Sequence, residues 1–387
     1  MKRFFECRWF GWISAVIVVG YFIVGLWPFD FRPQNHVSWL PGRPGLHFEK
    51  CGVAHDPELL PERVSSDVTT NQAASFTVEI WAEADREPDD NVYHLLTIHN
   101  DRLPRDFIIC QWQRACILRA TVQHPWPSRK VSEVDARVAL TEGNPKFITI
   151  RGDGTGTDFF LDGLPAGHFS QYVLKPEALD GQLMLGNDAS GKHPWSGSLF
   201  GLAIYNRALN VAEIGGHHDL WSQGRARQLT NDSGLKALYL FNEGGGRRAE
   251  DSSISRHHLD IPEIFQPVHK EFLIAPWKDL SYDRPDYSDI AVNILGFIPF
   301  GFCFFLHRRS VKPRRLLANF VFVVLVGALV SLTIEIIQAW LPSRTSSATD
   351  LLTNIFGALL GAVLALAIQS KVVPAKFEAE PRSHTQS

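Results

Sequence analysis

The chain has 387 residues, of which 20% are charged, and its formal net charge is −3. This balance provides no globally basic surface, so it argues against a nucleic-acid partner. Residues 10–27 and 288–368 are mainly apolar and carry few charges, whereas residues 28–287 are polar and rich in Gly, Pro and Trp. The partition is typical of a membrane protein that carries a large soluble insert.

The first predicted element is a membrane helix with the sequence FGWISAVIVVGYFIVGLW, from Phe10 to Trp27. Its length is close to the ~20 residues that cross about 30 Å of hydrocarbon. A secretory signal peptide is the alternative, but the segment lacks an A-x-A-like cleavage site and continues as PFDFRP. We therefore predict that residues 1–27 are a short cytoplasmic N-terminus and an uncleaved membrane anchor.

The polar insert is predicted to be an all-β sandwich over residues 46–262, flanked by linkers at 28–45 and 263–287. Short apolar runs such as SFTVEIWAEA, DFIICQW and FITIRG are separated by Gly, Pro and Asn/Asp turns, which is the pattern of a sandwich. Glu79 alternates with apolar neighbours in the first of these runs and is therefore predicted to face solvent. No carboxylate pair marks a glycosidase, and no catalytic residue is predicted.

Three segments of the insert carry a resemblance to a known superfamily: FTVEIWAEA, FFLDGLPAG and GSLFGLAIYNRALNVAEI. They are similar to concanavalin A-like, laminin-G-type jelly rolls. The segment LKALYLFN resembles the usual opening strand of that superfamily but here comes last, which leaves the strand order open. Such folds often bind glycans, and the candidates for stacking on sugar rings are Trp112, Trp126, Trp195 and Trp221. The alternative is that these side chains pack inside the domain, because Trp is usually largely buried.

Three of the five cysteines lie in the insert, where disulfides can persist. Cys110 and Cys116 stand at the two ends of a predicted hairpin loop, CQWQRAC, and are predicted to form a disulfide. The histidine pairs at 217–218 and 257–258 lack zinc-site spacing and are predicted to lie at the surface. No cofactor is predicted, and the sequence neither places nor excludes a calcium ion in the sandwich.

Three further membrane helices are predicted after the insert, over Ser288–Leu306, Arg315–Leu341 and Thr349–Ile368. Basic residues beside the spans set the orientation. They precede the first helix, fill the loop between the second and third helices, and follow the fourth: Lys2, Arg3, Arg8, Arg308, Arg309, Lys312, Arg314, Arg315, Lys371 and Lys376. Both termini, including a tail at 370–387, are therefore predicted to be cytoplasmic. The predicted fold class is a four-helix α transmembrane bundle plus an extracytoplasmic all-β jelly-roll sandwich.

Each of the three later helices carries polar and small residues at spacings of three and four, so each set lies on one helix face. With the predicted orientation, the polar members lie near one level, at the outer-leaflet boundary. They are predicted to form a functional cluster together with a loop arginine: Asp289, Asn293, Glu335, Gln338, Arg344, Asp350 and Asn354. A carboxylate in hydrocarbon costs at least ~2.5 kcal/mol on insertion scales, so Glu335 requires a partner or a proton.

Structural explanations stay open for every member of this cluster. Asp289 and Asp350 stand at helix starts and could act as caps, worth roughly 1 kcal/mol each. The two asparagines could connect neighbouring helices. An ion pair between Glu335 and Arg344 would account for the buried carboxylate without any ligand.

The same residues carry a resemblance to a membrane family. DIAVNILGFIPFGF, followed by SLTIEIIQAWLPSRTSSATDLLTNIFGALLG, is similar to the VanZ family, which is named for a teicoplanin-resistance protein. The matching positions are Asn293, Phe297, Pro299, Gly301, Glu335, Gln338, Arg344, Asp350, Asn354, Gly357 and Gly361. The resemblance covers residues 288–369 and implies a bacterial cell-envelope protein linked to glycopeptide tolerance, without a settled reaction. The large insert departs from the usual short members.

Three hypotheses for the function follow. The leading one is a non-enzymatic protein of the bacterial plasma membrane whose bundle binds a polar or lipid-linked envelope component, while the sandwich binds a glycan or a protein. The second is an enzyme acting on a lipid-linked envelope precursor, with Glu335 or Asp350 as general base and Arg344 holding a phosphate. The third is a structural anchor that displays an adhesion module. The lipid bilayer is a partner in all three.

Overall fold

The computed structural model describes residues 9–57, 75–85, 90–100, 103, 106–122, 133–137, 140–170, 172–267, 270–279 and 287–372. The chain divides into two compact units. The first, called the membrane unit, consists of Met1–Phe31 and Lys270–Ser387. The second, called the β unit, consists of Arg32–His269.

The helices of the described residues fall into long apolar helices of the membrane unit, one helix of the β unit and one single-turn helix. In chain order they are α1 Trp9–Leu26, α2 Val211–Ser222, α3 Pro276–Asp279, α4 Tyr287–Val311, α5 Leu316–Gln338 and α6 Ala348–Val372. The helices α1, α4, α5 and α6 are each long and apolar enough to cross a membrane. The prediction of four long apolar helices is therefore confirmed, with α5 ending three residues earlier than expected.

Small residues bring α4 and α6 into close contact, as is common between membrane helices. A Cβ added to Gly357 would overlap the carbonyl oxygen of Ile294, and one added to Gly361 would overlap that of Ile298. A Cβ added to Gly296 of α4 would meet no atom within 4 Å. The glycines of α6 therefore point towards α4, whereas the Cα of Gly296 faces open space and its carbonyl oxygen accepts a hydrogen bond from the Tyr21 hydroxyl of α1 at 2.6 Å.

Within its described residues, the β unit forms two eight-stranded sheets in which all ladder pairings are antiparallel. In chain order the strands are β1 Val37–Trp39, β2 Leu46–Phe48, β3 Ala54–His55, β4 Phe76–Ala84, β5 Val92–His99, β6 Phe107–Trp112, β7 Ala115–Arg119, β8 Glu133–Ala136, β9 Lys146–Asp153, β10 Gly156–Leu161, β11 Leu164–Phe169, β12 Gln182–Leu185, β13 Gly197–Tyr205, β14 Leu235–Tyr239, β15 Arg248–Ala249 and β16 Leu259–Asp260. The first sheet has the order β1-β2-β13-β4-β9-β10-β11, with β14 also paired to β13, and the second has the order β15-β16-β3-β12-β5-β6-β7-β8.

The main core lies between the two sheets. Along β4, Phe76, Val78 and Ile80 are buried in this core, as the alternation in FTVEIWAEA predicts. Phe76 of the first sheet meets Phe107 of the second edge-to-face, with ring centroids 5.9 Å apart. The predicted sandwich is therefore confirmed.

A second apolar core lies on the opposite face of the first sheet, beneath α2. It includes Tyr205, Ile214 and Trp221. A capping box starts α2: the Asn210 side chain accepts a hydrogen bond from the Glu213 N–H at 3.0 Å, and the Glu213 carboxylate accepts one from the Asn210 N–H at 2.7 Å. The side chains of β4 that alternate with the main core therefore face a helix rather than solvent.

The β unit extends beyond the predicted 46–262 at both ends. Strand β1 pairs with β2, so part of the predicted linker at 28–45 belongs to the first sheet. Near the other end, the Phe265 N–H donates to the Pro33 carbonyl oxygen at 2.9 Å. Strand β14, formed by the segment LKALYLFN, lies beside β13, which gives the strand order that the sequence left open.

Candidate functional site

The membrane unit gathers buried polar side chains at the end of the bundle where α5 stops and α6 begins. Glu335 lies in the last turn of α5 and is 2% exposed. Its Oε2 accepts a hydrogen bond from the Ser347 N–H at 2.7 Å. One turn earlier, Ser331 Oγ accepts a hydrogen bond from Asn354 Nδ2 at 3.0 Å. Two buried hydrogen bonds thus join this face of α5 to α6 and the residue that precedes it.

Ser347 is the cap of α6. Its Oγ accepts hydrogen bonds from the backbone N–H groups of Thr349 at 3.0 Å and Asp350 at 3.3 Å. Asp350 faces α4 instead, where its Oδ1 accepts a hydrogen bond from Asn293 Nδ2 at 2.9 Å. The alternative that Asp350 caps α6 is therefore wrong. Asp289 lies exposed in the first turn of α4.

Two further members of the predicted cluster bind the end of α1. Gln338 Nε2 donates to the Gly25 carbonyl oxygen at 2.8 Å. Arg344 donates to the Trp27 carbonyl oxygen from Nε at 3.1 Å and from Nη2 at 2.9 Å. Arg344 therefore binds the backbone that follows α1. The alternative of an ion pair between Arg344 and Glu335 is wrong.

Sequence analysis missed the segment 270–274, which it assigned to a linker. Lys270 Nζ donates to the carbonyl oxygen of Gln338 at 2.9 Å and to that of Leu341, at the end of α5 where the helix dipole favours a cation. Burial lowers the pKa of Lys270 to about 8. The backbone of the same segment also donates to the Ser346 carbonyl oxygen at 2.9 Å. No periodic pattern marks this segment, because its contacts are those of a single lysine and of backbone groups.

The outer face of the second sheet carries an exposed tryptophan of the β unit. Strand register aligns His94, Cys110, Ile117 and Asp135 across β5 to β8, so these side chains share the outer face. Trp112 follows Cys110 by two positions on β6 and is 41% exposed. Its indole therefore lies on the same face, beside the β6–β7 turn.

Polar side chains accompany Trp112 on this face. The rings of His94 and His193 stack with centroids 4.5 Å apart, and His193 Nδ1 lies 3.3 Å from Asp188 Oδ2. Burial, reinforced by His193, lowers the pKa of His94 to about 3. Burial raises the pKa of Asp188, but the hydrogen bond and charge of His193 outweigh it and hold that pKa well below its usual range. Arg119 Nε donates to Glu133 Oε2 at 2.6 Å.

Two of the predicted sugar-stacking tryptophans are buried, so that role is wrong for them. Trp195 is 0% exposed, and its Nε1 donates to Gln111 Oε1 inside the sandwich at 2.7 Å. Trp221 is 6% exposed and packs between α2 and the first sheet, where Gly201 leaves room for its ring. Trp126 lies outside the described residues. The alternative of core packing is therefore correct for Trp195 and Trp221.

The predicted disulfide between Cys110 and Cys116 is also wrong. In the β6–β7 ladder Cys110 pairs with Ile117, and Gln111 pairs with Cys116. Because adjacent residues of a strand point to opposite faces, the two cysteines lie on opposite faces of the sheet. Both are buried, and no disulfide joins them.

A buried ionisable network under α2 contradicts two more predictions. Glu79, predicted to face solvent, is 0% exposed because α2 covers that face of β4. Its Oε1 lies 2.8 Å from Nδ1 of His217, whose Nε2 lies 3.1 Å from Asp232 Oδ2. Trp221 Nε1 donates to Glu79 Oε2 at 3.4 Å. His217, predicted to lie at the surface, is 6% exposed. Strand alternation indicates a face but does not reveal what covers it.

In the part of the chain that the structure describes, no three His, Cys, Asp or Glu side chains are grouped as metal ligands. Calcium sites also use backbone carbonyl and water ligands. The calcium ion considered for the sandwich therefore stays untested.

Solved structures that resemble the chain come from several organisms. They include a protein of Bacteroides ovatus ATCC 8483 assigned to carbohydrate binding (12% identity, 57% of this chain, 58% of that chain, TM-score 0.37). They also include a heptameric SAP-like pentraxin from Limulus polyphemus (11% identity, 49% and 83% coverage, TM-score 0.31). The chain spans a little more than half the length of the Bacteroides protein. Similarities at these TM-scores carry no argument about function.

Two family models match separate regions of the chain, and no curated protein matches it significantly. The model described as VanZ/LLP1 matches residues 238–369, which include α4, α5 and α6 up to three residues from its end. The model described as the concanavalin A-like lectin/glucanases superfamily matches residues 62–215, which include β4 to β13. The chain is therefore a membrane protein with a VanZ-like region at 238–369 and a concanavalin A-like, laminin-G-type domain at 62–215.

Proposed function

We propose that this protein is a non-enzymatic cell-envelope protein that binds a polar or lipid-linked envelope component at the Glu335 end of its helical bundle. The observation that carries the proposal is the burial of Glu335, 2% exposed, in a helix apolar enough to cross a membrane. An ionisable residue in such a helix is costly and marks a functional site by default.

The proposal places the Glu335 end of the bundle at the outer leaflet and residues 28–287 outside the plasma membrane. Basic residues support this orientation because they concentrate on the cytoplasmic side. Arg308 and Arg309 occupy the last turn of α4, and Lys371 occupies the last turn of α6. These helix ends are opposite to the ends that carry Glu335 and Asp350.

The hydrogen bonds around Glu335 support a site that is held in place. Ser347 fixes the carboxylate from the start of α6, and the Asn293–Asp350 bond joins α4 to α6. Arg344 joins the loop before α6 to the residues after α1. All four long helices thus contribute to the position of these polar groups, which favours a preorganised binding site.

For the β unit we propose glycan binding on the outer face of the second sheet. Trp112 offers an exposed aromatic ring, and His193, Asp188 and Arg119 offer hydrogen-bonding groups elsewhere on this face. An apolar ring with a few placed polar groups is the usual composition of a small-molecule site. The match to a lectin-like superfamily supports the same assignment by analogy.

Native mass spectrometry of the full-length protein in bacterial-lipid nanodiscs tests the membrane site. We expect the wild type to retain a lipid-linked sugar and Glu335→Gln to lose it. A matched control is Glu263→Gln, because this carboxylate of the β unit is 66% exposed. Equal retention by wild type and Glu335→Gln would exclude the membrane site and favour the anchor hypothesis. If the wild type, but not Glu335→Gln, converted the retained lipid into a product, the hypothesis of an enzyme acting on a lipid-linked precursor would be favoured.

Binding of soluble peptidoglycan fragments tests the β unit. We expect Trp112→Ala to weaken binding roughly fivefold, in line with the energy of aromatic stacking. The control is Leu164→Ala, which removes a side chain that is 70% exposed and belongs to the first sheet. The same affinity in Trp112→Ala and wild type would contradict glycan stacking on this face.

A further inference from the structure

Three oxygen atoms near Glu335 are buried without a hydrogen-bond partner: Asn354 Oδ1, Thr349 Oγ1 and Gln338 Oε1. Asn354 and Thr349 are 8% and 9% exposed. Buried side-chain polar atoms in folded proteins usually have a partner, and an exception calls for a specific explanation. Three such exceptions lie in one region, and this region therefore calls for such an explanation.

Asn354 and Thr349 belong to one connected region between α5 and α6, and Gln338 lies beside it, where α5 binds the Gly25 carbonyl oxygen of α1. Asn354 donates to Ser331, which lies one turn before Glu335 on the same face of α5. The Thr349 N–H donates to the Ser347 side chain, and the Ser347 N–H in turn donates to Glu335. Gln338 follows Glu335 by three positions on α5. We call this region the α5–α6 seam.

The side-chain atoms of the seam that have no partner at all are oxygens: the amide oxygens of Asn354 and Gln338 and the hydroxyl oxygen of Thr349. The amide oxygens of Asn354 and Gln338 can only accept, whereas the Thr349 hydroxyl can donate as well as accept. Each amide nitrogen donates once, to Ser331 or to the Gly25 carbonyl oxygen, and keeps a second N–H. The Lys270 ammonium donates to two backbone carbonyl oxygens. A phosphate brings only acceptors and leaves the two amide oxygens without a partner, whereas an ammonium or a hydroxyl donates to them.

We propose that the α5–α6 seam binds the donor-bearing part of a lipid head group, an ammonium or a sugar hydroxyl, and leaves the phosphate outside. This inference rests on the proposed function and names the chemical class of ligand for the same site. It goes beyond the family match, because it derives from the unpartnered oxygens of this chain.

Competition between lipids with matched acyl chains tests the inference. The full-length protein is placed in nanodiscs that contain phosphatidylethanolamine, a monoglucosyl diacylglycerol and phosphatidylcholine, and the retained lipids are measured by native mass spectrometry. Phosphatidylcholine carries no head-group donor. We expect it to be retained roughly fivefold less than at least one of the other two, the effect of satisfying one buried acceptor. Preference for the ethanolamine lipid identifies an ammonium, and preference for the glucosyl lipid identifies a sugar.

Two variants and a control locate the effect. Asn354→Leu and Thr349→Val should each reduce the discrimination, and Thr349→Val decides the matter if Asn354→Leu does not fold. Asn319→Leu is the control: Asn319 Oδ1 is also buried without a partner, but it lies at the start of α5, at the other end of the bundle. The control should discriminate between lipids as the wild type does.

The outcomes separate this inference from the proposed function. Retained lipid without head-group preference, or equal loss of preference in Asn319→Leu, overturns the inference and assigns the seam oxygens to ordered water. No lipid retained beyond that of empty nanodiscs contradicts the proposed function itself.

Discussion

His217 lies between two carboxylates beneath α2, with Glu79 at 2.8 Å on one side and Asp232 at 3.1 Å on the other. We predict that His217→Gln destabilises the β unit by about 3–5 kcal/mol, because it leaves the buried Glu79 charge without its partner. Chemical unfolding of the full-length chain in detergent, followed by tryptophan fluorescence, measures the change. The control is His218→Gln on the next residue, whose side chain is 30% exposed, and it should stay within about 0.5 kcal/mol of wild type. Similar losses in the two variants would contradict this role of His217.

The same pair predicts a pH dependence of stability. Burial lowers the pKa of His217, but the hydrogen bond and charge of Glu79 outweigh burial and raise it above 6.5. A raised folded-state pKa gives stability that is full below the unfolded pKa and is lost as pH rises through the folded pKa. We expect the thermal midpoint of the β unit to fall as pH rises above about 6.5, and the slope to shrink in His217→Gln. A midpoint that stays constant from neutral to mildly alkaline pH would contradict the coupling.

Side chains were predictable from the sequence where local pattern decides their position. The alternation of FTVEIWAEA correctly placed Phe76 and Val78 in the main core. It failed for Glu79, because a helix 130 residues later in the chain covers the opposite face. It failed for Cys110 and Cys116 because the two-residue β6–β7 turn sets a register that puts them on opposite faces. Both errors come from long-range or register information that a local pattern does not contain.

The packing of α4 against α6 depends on glycines that leave no space for a Cβ. We predict that Gly357→Ala destabilises the membrane unit by about 1–3 kcal/mol, the usual cost of overpacking, because the added methyl group would overlap the Ile294 carbonyl oxygen. Gly296→Ala is the control on α4, since its Cβ would meet no atom within 4 Å. Thermal unfolding of both variants in detergent measures the difference. Equal stability of the two variants would show that the close approach of α4 and α6 is not required.

The long elements of the membrane unit were predictable because apolar length alone identifies them. The polar spacing also correctly brought Glu335 and Asn354 to the same region, through Ser331. The contacts that fix this region were not predictable. Ser347 is one serine among several in the loop before α6, and segment 270–274 binds through its backbone and one lysine. Such contacts depend on tertiary positions rather than on helical period.

At the scale of the molecule, the β unit has the geometry that an inserted domain requires. Its two chain ends lie together: the Phe265 N–H donates to the Pro33 carbonyl oxygen at 2.9 Å. Asn35 Nδ2 donates to the Val53 and Pro262 carbonyl oxygens, each at 2.8 Å. A domain whose ends are adjacent can interrupt another domain without separating its elements. The sequence between α1 and α4 can therefore hold this unit while α1 still packs with the later helices.

The orientation of the whole chain is predicted from basic residues close to the spans. We expect a C-terminal green fluorescent protein fusion to fluoresce in the cytoplasm and external protease to cut within residues 28–287 in spheroplasts. Replacing the basic loop between α4 and α5 with glutamines should give a mixed or inverted population, because charges near the spans set orientation. The residues to replace are Arg308, Arg309, Lys312, Arg314 and Arg315.

The matched control removes the same number of positive charges from the β unit. These residues are too far along the chain from the membrane spans to influence the orientation. The residues of the control are Arg225, Arg227, Lys236, Arg247 and Arg248. Charges influence orientation only within about 15–20 residues of a span, so the control should keep the wild-type orientation. Protection of residues 28–287 from external protease in the wild type would reverse the assignment and place the Glu335 end of the bundle at the inner leaflet. The same inversion in both variants would show that total charge, rather than its position beside the spans, sets the orientation.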